Sequence, residues 1–222
     1  MPLAEILMQP QTAGPVLLTA KTLAVSGLLH LVCGVLLACY LSGPPGLLRG
    51  TVDFFTTLPL VFPPIATGFV LLLLLGRNGM VGSMLPVDII FSFYGVVLAA
   101  FIAGLPLMVK PVEAALRGDV RRLAEIARVL GKNEWQVFWL VLLPNVRRSV
   151  LSGWFLALGR SLGEVGITLM LGGNIVGKTN TLSLEIYNAV FSGEFERAMV
   201  LSAIIGFFSL AIFFMLRRLS AV

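Results

Sequence analysis

Residues 172–179 read Gly-Gly-Asn-Ile-Val-Gly-Lys-Thr and fit G-x-x-x-x-G-K-T, the spacing of a loop that cradles nucleotide phosphates. That chemistry needs a strand leading into the glycines and a helix whose amides face the phosphates. Here a long apolar run leads in, and no apolar strand ending in Asp follows to hold magnesium. A glycine-rich connecting hairpin is the better reading. Arg160 and Glu164 form a second candidate, because a spacing of four puts both on one helical face. They lie inside an apolar run, where an unpaired charge costs about 2.5–3.5 kcal/mol on insertion scales. The pair is either a structural tie between helices or part of a polar pathway. In the second case Arg160 is a positive waypoint for an anion and Glu164 tempers the attraction. His30 has no second His and no nearby carboxylate, and Cys33 and Cys39 share its apolar run. This pattern is neither a zinc spacing nor a disulfide framework, so no metal and no cofactor is expected. No nucleophile stands with a base, so no catalytic residue is assigned.

The elements that must position these residues are membrane helices. Of 222 residues, 58% are hydrophobic and 12% charged, and the mean hydropathy is +0.97. Soluble domains carry about 25% charged residues, so this chain lacks the polarity to cover a soluble surface. A net charge of +5 would suit nucleic acid, but the basic residues cluster between apolar runs and form no free stripe. The expected partner is lipid and not nucleic acid. Five runs are long enough to span a bilayer, at about 16–41, 54–76, 87–109, 149–171 and 198–216, within a single domain over 1–222. The first is too long for a cleavable signal and is expected to remain. Residues 110–148 hold Lys110, Arg117, Arg121, Arg122, Arg128, Lys132, Arg147 and Arg148, whereas the opposite loops offer Arg77, Lys178 and Arg197. The bias predicts that 110–148 and the C-terminus are cytoplasmic. Five spans then put the N-terminus outside, where Glu5 is the charge of the first fifteen residues.

Pro59, Pro63 and Pro64 interrupt the second run and Pro106 the third. Backbone breaks at membrane depth are tolerated only against protein or a watery cavity. Ordinary kinking is the plain reading, and a translocation pathway shaped at Pro63 and Pro64 the sharper one. Gly159 and Gly163, with Gly166 one turn on, predict a close-packing helix face.

Within 110–148, residues 123–144 read LAEIARVLGKNEWQVFWLVLLP. Leu123, Ile126, Ala127 and Leu130 fall on one face of a short helix. Asp119 is placed to cap its start, and Gly131 supplies a left-handed stop. Asn133 with Gln136 can cap a second helix, and Pro144 is expected to break the chain before the next span. The product is a knob of two short helices meeting at a glycine, with a small apolar ridge. A single amphipathic helix resting on lipid is the alternative.

Glu125, Ile126, Ala127, Gly131, Val141, Leu143 and Pro144 stand at the spacing E-A-A-x3-G-x9-I-x-L-P. In this the chain resembles the importer permeases of the ATP-binding-cassette (ABC) class. Ile126 replaces the middle alanine of that motif and Val141 its isoleucine. The resemblance implies that the loop is a coupling helix seated in a cleft of a separate ATPase subunit. Two ATPases closing around ATP would then move the loops and open the pathway outward. LPLVFPP (58–64), LLGRNGMVG (74–82), GLPLMVK (104–110), GRSLGE (159–164) and GNIVGKTNTL (173–182) are similar to molybdate permeases. Tungstate and sulfate permeases share much of the last two stretches, and residues 164–166 and 192–198 resemble the tungstate branch. Molybdate is favoured, then tungstate, then sulfate. The resemblance implies an all-α membrane protein with five transmembrane helices and a cytoplasmic coupling-helix loop, the type I importer permease core. It implies a homodimer in the bacterial inner membrane, with two ATPase subunits and a periplasmic oxyanion-binding protein as partners. An ion-coupled secondary transporter is the alternative from another class. It would want intramembrane carboxylates, and Glu164 is the one on offer, with Arg160 as a local partner.

Overall fold

A computed structural model describes residues 10–84 and 86–220; Glu5 lies outside them. The described residues are helical with no strand. Helix α1 (Pro10–Leu29) passes through one widened π turn (His30–Gly34) into α2 (Val35–Leu41) without leaving helical geometry. Then follow α3 (Leu47–Val61), α4 (Pro64–Leu75), α5 (Phe93–Arg117), α6 (Asp119–Val129) and α7 (Glu134–Val137). A second π turn (Phe138–Leu142) leads into α8 (Leu143–Leu162), followed by α9 (Gly166–Gly172), α10 (Leu182–Phe191) and α11 (Phe195–Ser220). By length and composition Thr12–Leu41, Phe93–Arg117 and Phe195–Leu219 can cross a membrane. The pair Glu134–Leu162 and Gly166–Gly172, bent by 64°, makes a fourth crossing if counted as one span.

Helix α5 is the hub, packed against α1, α2, α3, α8 and α9. Lipid tails are as apolar as leucine, so helices in a bilayer associate through close packing and hydrogen bonds rather than water exclusion. The α5–α8 contact is built for that. A Cβ at Gly153 would lie 2.9 Å from Met108 O, and one at Gly104 would lie 2.8 Å from Ala157 O. Around this approach sit Met108, Val109, Val112, Val146, Val150 and Ala157. Ser161 Oγ donates to Ala100 O at 2.7 Å and Trp154 Nε1 to Gly27 O at 2.9 Å, tying α8 to α5 and α1.

The prolines act differently from one another. Phe62 (ψ 137°) and Pro63 (ψ 133°) are both extended. Each precedes a proline, whose ring disfavours helical geometry in the residue before it. The second apolar run therefore divides into α3 and α4, with Pro64 in the first turn of α4. Pro59 and Pro106 break nothing: α3 and α5 continue through them. Gly159 and Gly163 also depart from expectation. A Cβ at Gly163 would meet nothing within 4 Å, and one at Gly159 only Ile212 at 3.8 Å. Gly163 instead ends α8, and the close approach falls at Gly166, where a Cβ would lie 2.8 Å from Pro64 Cβ.

Candidate functional site

The knob over 119–142 is assembled by local rules. Helix α6 ends in a paired stop: Gly131 N–H donates to Arg128 O at 2.9 Å and Lys132 N–H to Ala127 O at 3.0 Å. This pairing requires a left-handed residue, and Gly131 supplies it with φ +81°. Two residues on, Asn133 Oδ1 accepts from Gln136 N at 2.8 Å while Gln136 Oε1 accepts from Asn133 N at 3.2 Å, a full capping box for α7. Asp119 does not cap α6. It is the first helical residue, Gly118 holds the cap position, and no side chain bonds there. Arg128 grips Glu134 through two hydrogen bonds, Nε–Oε1 at 2.6 Å and Nη2–Oε2 at 3.0 Å, clipping α6 to α7. The bidentate bond holds the Glu134 carboxyl below its usual range and raises Arg128.

The two faces of the knob have opposite fates. Ala124, Ala127 and Val137 are buried together, with Val141 and Leu142 packed on them. Leu123, Ile126 and Leu130 point outward, so Ala127 does not share their face as its spacing suggested. Val129, Leu130 and Trp135 are 87%, 75% and 70% exposed, with Trp139 and Leu140 beside them. Glu125 is exposed and pairs with Arg121 at 3.2 Å. Pro144 does not break the chain. It sits in the first turn of α8, directly after the π turn. A wider turn accommodates the proline ring and its missing N–H, so Leu143 and Pro144 are welded to the knob, and helical structure runs over Glu134–Leu162.

A second group of candidates meets where two helices break. Arg160 Nη1 lies 2.5 Å from Glu164 Oε2, with Glu164 1% exposed and Arg160 31%. The other carboxylate oxygen accepts from Ile167 N at 2.7 Å and so closes the first turn of α9. Through Gly166, α9 packs against Pro64 and Ile65 at the start of α4. Pro63, Pro64, Arg160 and Glu164, distant in sequence, thus border one junction of two broken helices, where Pro63, Pro64 and Gly163 are exposed.

The matching family model is described as a binding-protein-dependent transport system inner membrane component and covers residues 30–221. The chain belongs to that family. The molybdenum transport system permease protein ModB of Escherichia coli (strain K12) is 35% identical over 215 residues, 92% of this chain and 93% of the relative. ModB of Azotobacter vinelandii is 32% identical over 203 residues, 90% of each. The crystal structure of a bacterial alginate ABC transporter in complex with an alginate-pentasaccharide-bound periplasmic protein shares the fold. Its TM-score is 0.71 at 18% identity, with 97% of this chain and 79% of that one covered.

In this permease the phosphate-loop look-alike is a self-contained turn. It follows helix α9, and Gly173, Asn174 and Gly177 all take positive φ. Thr179 Oγ1 donates to Gly172 O at 2.7 Å and accepts from Ile175 N at 2.9 Å, so the hydroxyl is spent on the loop itself. Two polar arrangements escaped the sequence reading. Glu185 is buried and takes Arg197 Nη2 and Asn180 Nδ2, with Asn188 Nδ2 at 3.3 Å. Arg160 and Glu164 are therefore not the permease's sole inward ion pair. Their i,i+4 spacing advertised them, whereas Glu185 and Arg197 stand on different helices. His30 Nε2 donates to Phe101 O at 2.9 Å and its ring stacks on Phe101, in the gap left by Gly104.

Proposed function

We propose that this permease imports molybdate, received outside from an oxyanion-binding protein and driven by two copies of an ATPase seated on the 119–142 knob. The observation that carries the coupling reading is the outward ridge of Leu123, Ile126, Val129, Leu130 and Trp135 on a fixed elbow. A membrane helix lying on lipid needs no glycine stop, capping box and arginine clip to hold its shape. A protein groove that must be pushed and pulled does need a rigid knob. Glu125, Ile126, Ala127, Gly131, Val141, Leu143 and Pro144 have divided tasks in this reading. Ile126 enters the ATPase, Ala127 and Val141 brace the knob, and Gly131 sets its angle. Leu143 and Pro144 transmit its motion into α8.

Molybdate is supported by the identity to molybdenum permeases over nine-tenths of the chain. Two copies of the permease enclose the pathway, with Pro63, Pro64, Arg160 and Glu164 facing it where α3/α4 and α8/α9 break. In this reading α3 and α4 together make a fifth crossing, and the basic bias of 110–148 puts the knob and the C-terminus in the cytoplasm and the N-terminus outside. The permease itself catalyses nothing; hydrolysis belongs to the ATPase. Co-purification with the cognate ATPase tests the ridge. Leu130→Asp and Trp135→Asp should each abolish co-purification, while Leu210→Asn on the exposed face of α11 should not. Retention of the ATPase by both ridge variants would refute the assignment.

A further inference from the structure

Where the end of α2, the first turns of α3 and the end of α5 meet, there is a cavity of about 400 Å³. Arg49, Arg117 and Arg121, one each from α3, α5 and α6, line it together with Asp53 and Glu113. The two carboxylates are already matched. Lys110 Nζ bonds Asp53 Oδ1 and, at 3.1 Å, Glu113 Oε2, while Arg117 Nη2 bonds Glu113 Oε1 at 2.5 Å. Two cations answer these two anions and Arg121 has its own carboxylate in Glu125, so Arg49 is the surplus of the lining. Arg121 meets Glu125 through Nε at 3.2 Å, with both side chains about half exposed. Arg49 has neutral partners: it donates to Tyr40 O at 2.9 Å and Pro44 O at 2.5 Å, and lies 5.1 Å over the Tyr40 ring. These contacts fix the guanidinium without cancelling its charge, and two bonds leave other N–H groups of its five to offer.

Directly beside Arg49, Leu47 and Leu48 open α3 at 92% and 70% exposure. A preset surplus of guanidinium next to two bare leucines fits an anionic amphiphile: a phosphate in the cavity and an acyl chain along the leucines. We propose that the cavity is a phosphate site filled by the headgroup of an anionic phospholipid of the cytoplasmic leaflet. The proposal rests on the reading of 110–148 as cytoplasmic and not on which oxyanion is carried. Because Arg121 belongs to the first turn of α6, an occupied cavity also ties the base of the knob to the membrane surface.

Gly50 provides the test. It lines the cavity, and a Cβ there would meet nothing within 4 Å. Gly50→Glu therefore delivers a carboxylate without disturbing packing, and Gly50→Gln controls for volume. Purified complex is stripped of lipid, offered phosphatidylglycerol or phosphatidylcholine, and read by native mass spectrometry, with lipid-free melting checked for each variant. Wild type should retain phosphatidylglycerol preferentially. Gly50→Glu should retain about fivefold less than Gly50→Gln, the effect of one charge at an anionic surface. Arg49→Gln should lower retention by a similar factor. Equal retention of the two lipids by wild type, or of phosphatidylglycerol by the two Gly50 variants, overturns the proposal. Displacement of the lipid by inorganic phosphate alone would overturn the lipid assignment and leave a site for free phosphate. Lipid retention is read without transport, so failure of the molybdate reading and failure of this one are separate results.

Discussion

Gly131 is the position where one methyl group should uncouple the machine. At φ +81° an L-residue pays about 1–2 kcal/mol for its Cβ. A Cβ there would meet nothing within 4 Å, so no clash adds to that figure. The chain's other option is to abandon the left-handed turn and lose the bonds from Gly131 to Arg128 and from Lys132 to Ala127. Each is worth about 0.5–1.5 kcal/mol net, so both routes cost the same order. A loss of about 1–2 kcal/mol lowers the ratio of formed to opened elbow by a factor of about 5–30. Gly131→Ala should therefore speed hydrogen exchange at the 131 and 132 amides by that factor. Gly131→Val, branched at Cβ, should do more, and Gly131→Asn should stay near wild type, because Asn tolerates this region. With the ATPase assembled in proteoliposomes, the ATP hydrolysed per molybdate imported should rise in the order Asn, Ala, Val. Wild-type exchange and wild-type stoichiometry in Gly131→Val would refute the reasoning.

Arg160→Met leaves the Glu164 carboxylate buried and unpaired, a loss of about 3–5 kcal/mol, so complex assembly should fall. Adding Glu164→Gln should restore assembly, since the amide oxygen can still accept from Ile167, while molybdate uptake stays lost; full uptake in the double variant would make the pair purely structural. Lys178→Ala, on the exposed turn, should leave ATP hydrolysis by the complex unchanged, and a collapse of nucleotide binding would revive the phosphate-loop reading. Glu134 has a folded-state pKa below its ordinary value of 4.5. Its clip to Arg128 is thus fully present above that value and lost as the pH falls through the lowered one. Emission from neighbouring Trp135 should report the loss, and Arg128→Gln should remove that pH dependence.

What could be read from the sequence was what local stereochemistry dictates. The elbow at Gly131, the Asn133–Gln136 box and the Arg160–Glu164 pair depend on residues at most a few positions apart, and spacing specifies them. The direction of a helix face does not follow from spacing. Leu123, Ile126 and Ala127 recur at helical period, but Ala124 and Ala127 are the ones buried with Val137, while Leu123 and Ile126 stay exposed. Prolines were legible as a doublet, where Pro63 and Pro64 force two extended residues. As singles they were not, since tertiary packing and π turns carry helices through Pro59, Pro106 and Pro144. Glu185 with Arg197 and His30 with Phe101 join residues on separate helices, and no periodicity encodes such meetings. The arginine cavity was hidden for the same reason, with its lining drawn from two distant stretches of chain, 41–53 and 113–121.

Uptake of molybdate into proteoliposomes holding the permease and its ATPase, with the binding protein outside and ATP inside, tests the central claim most directly. With the membrane gradient collapsed by ionophore, molybdate should accumulate only when ATP is enclosed, and excess sulfate should compete poorly. Accumulation that needs the ion gradient and ignores ATP would contradict the account.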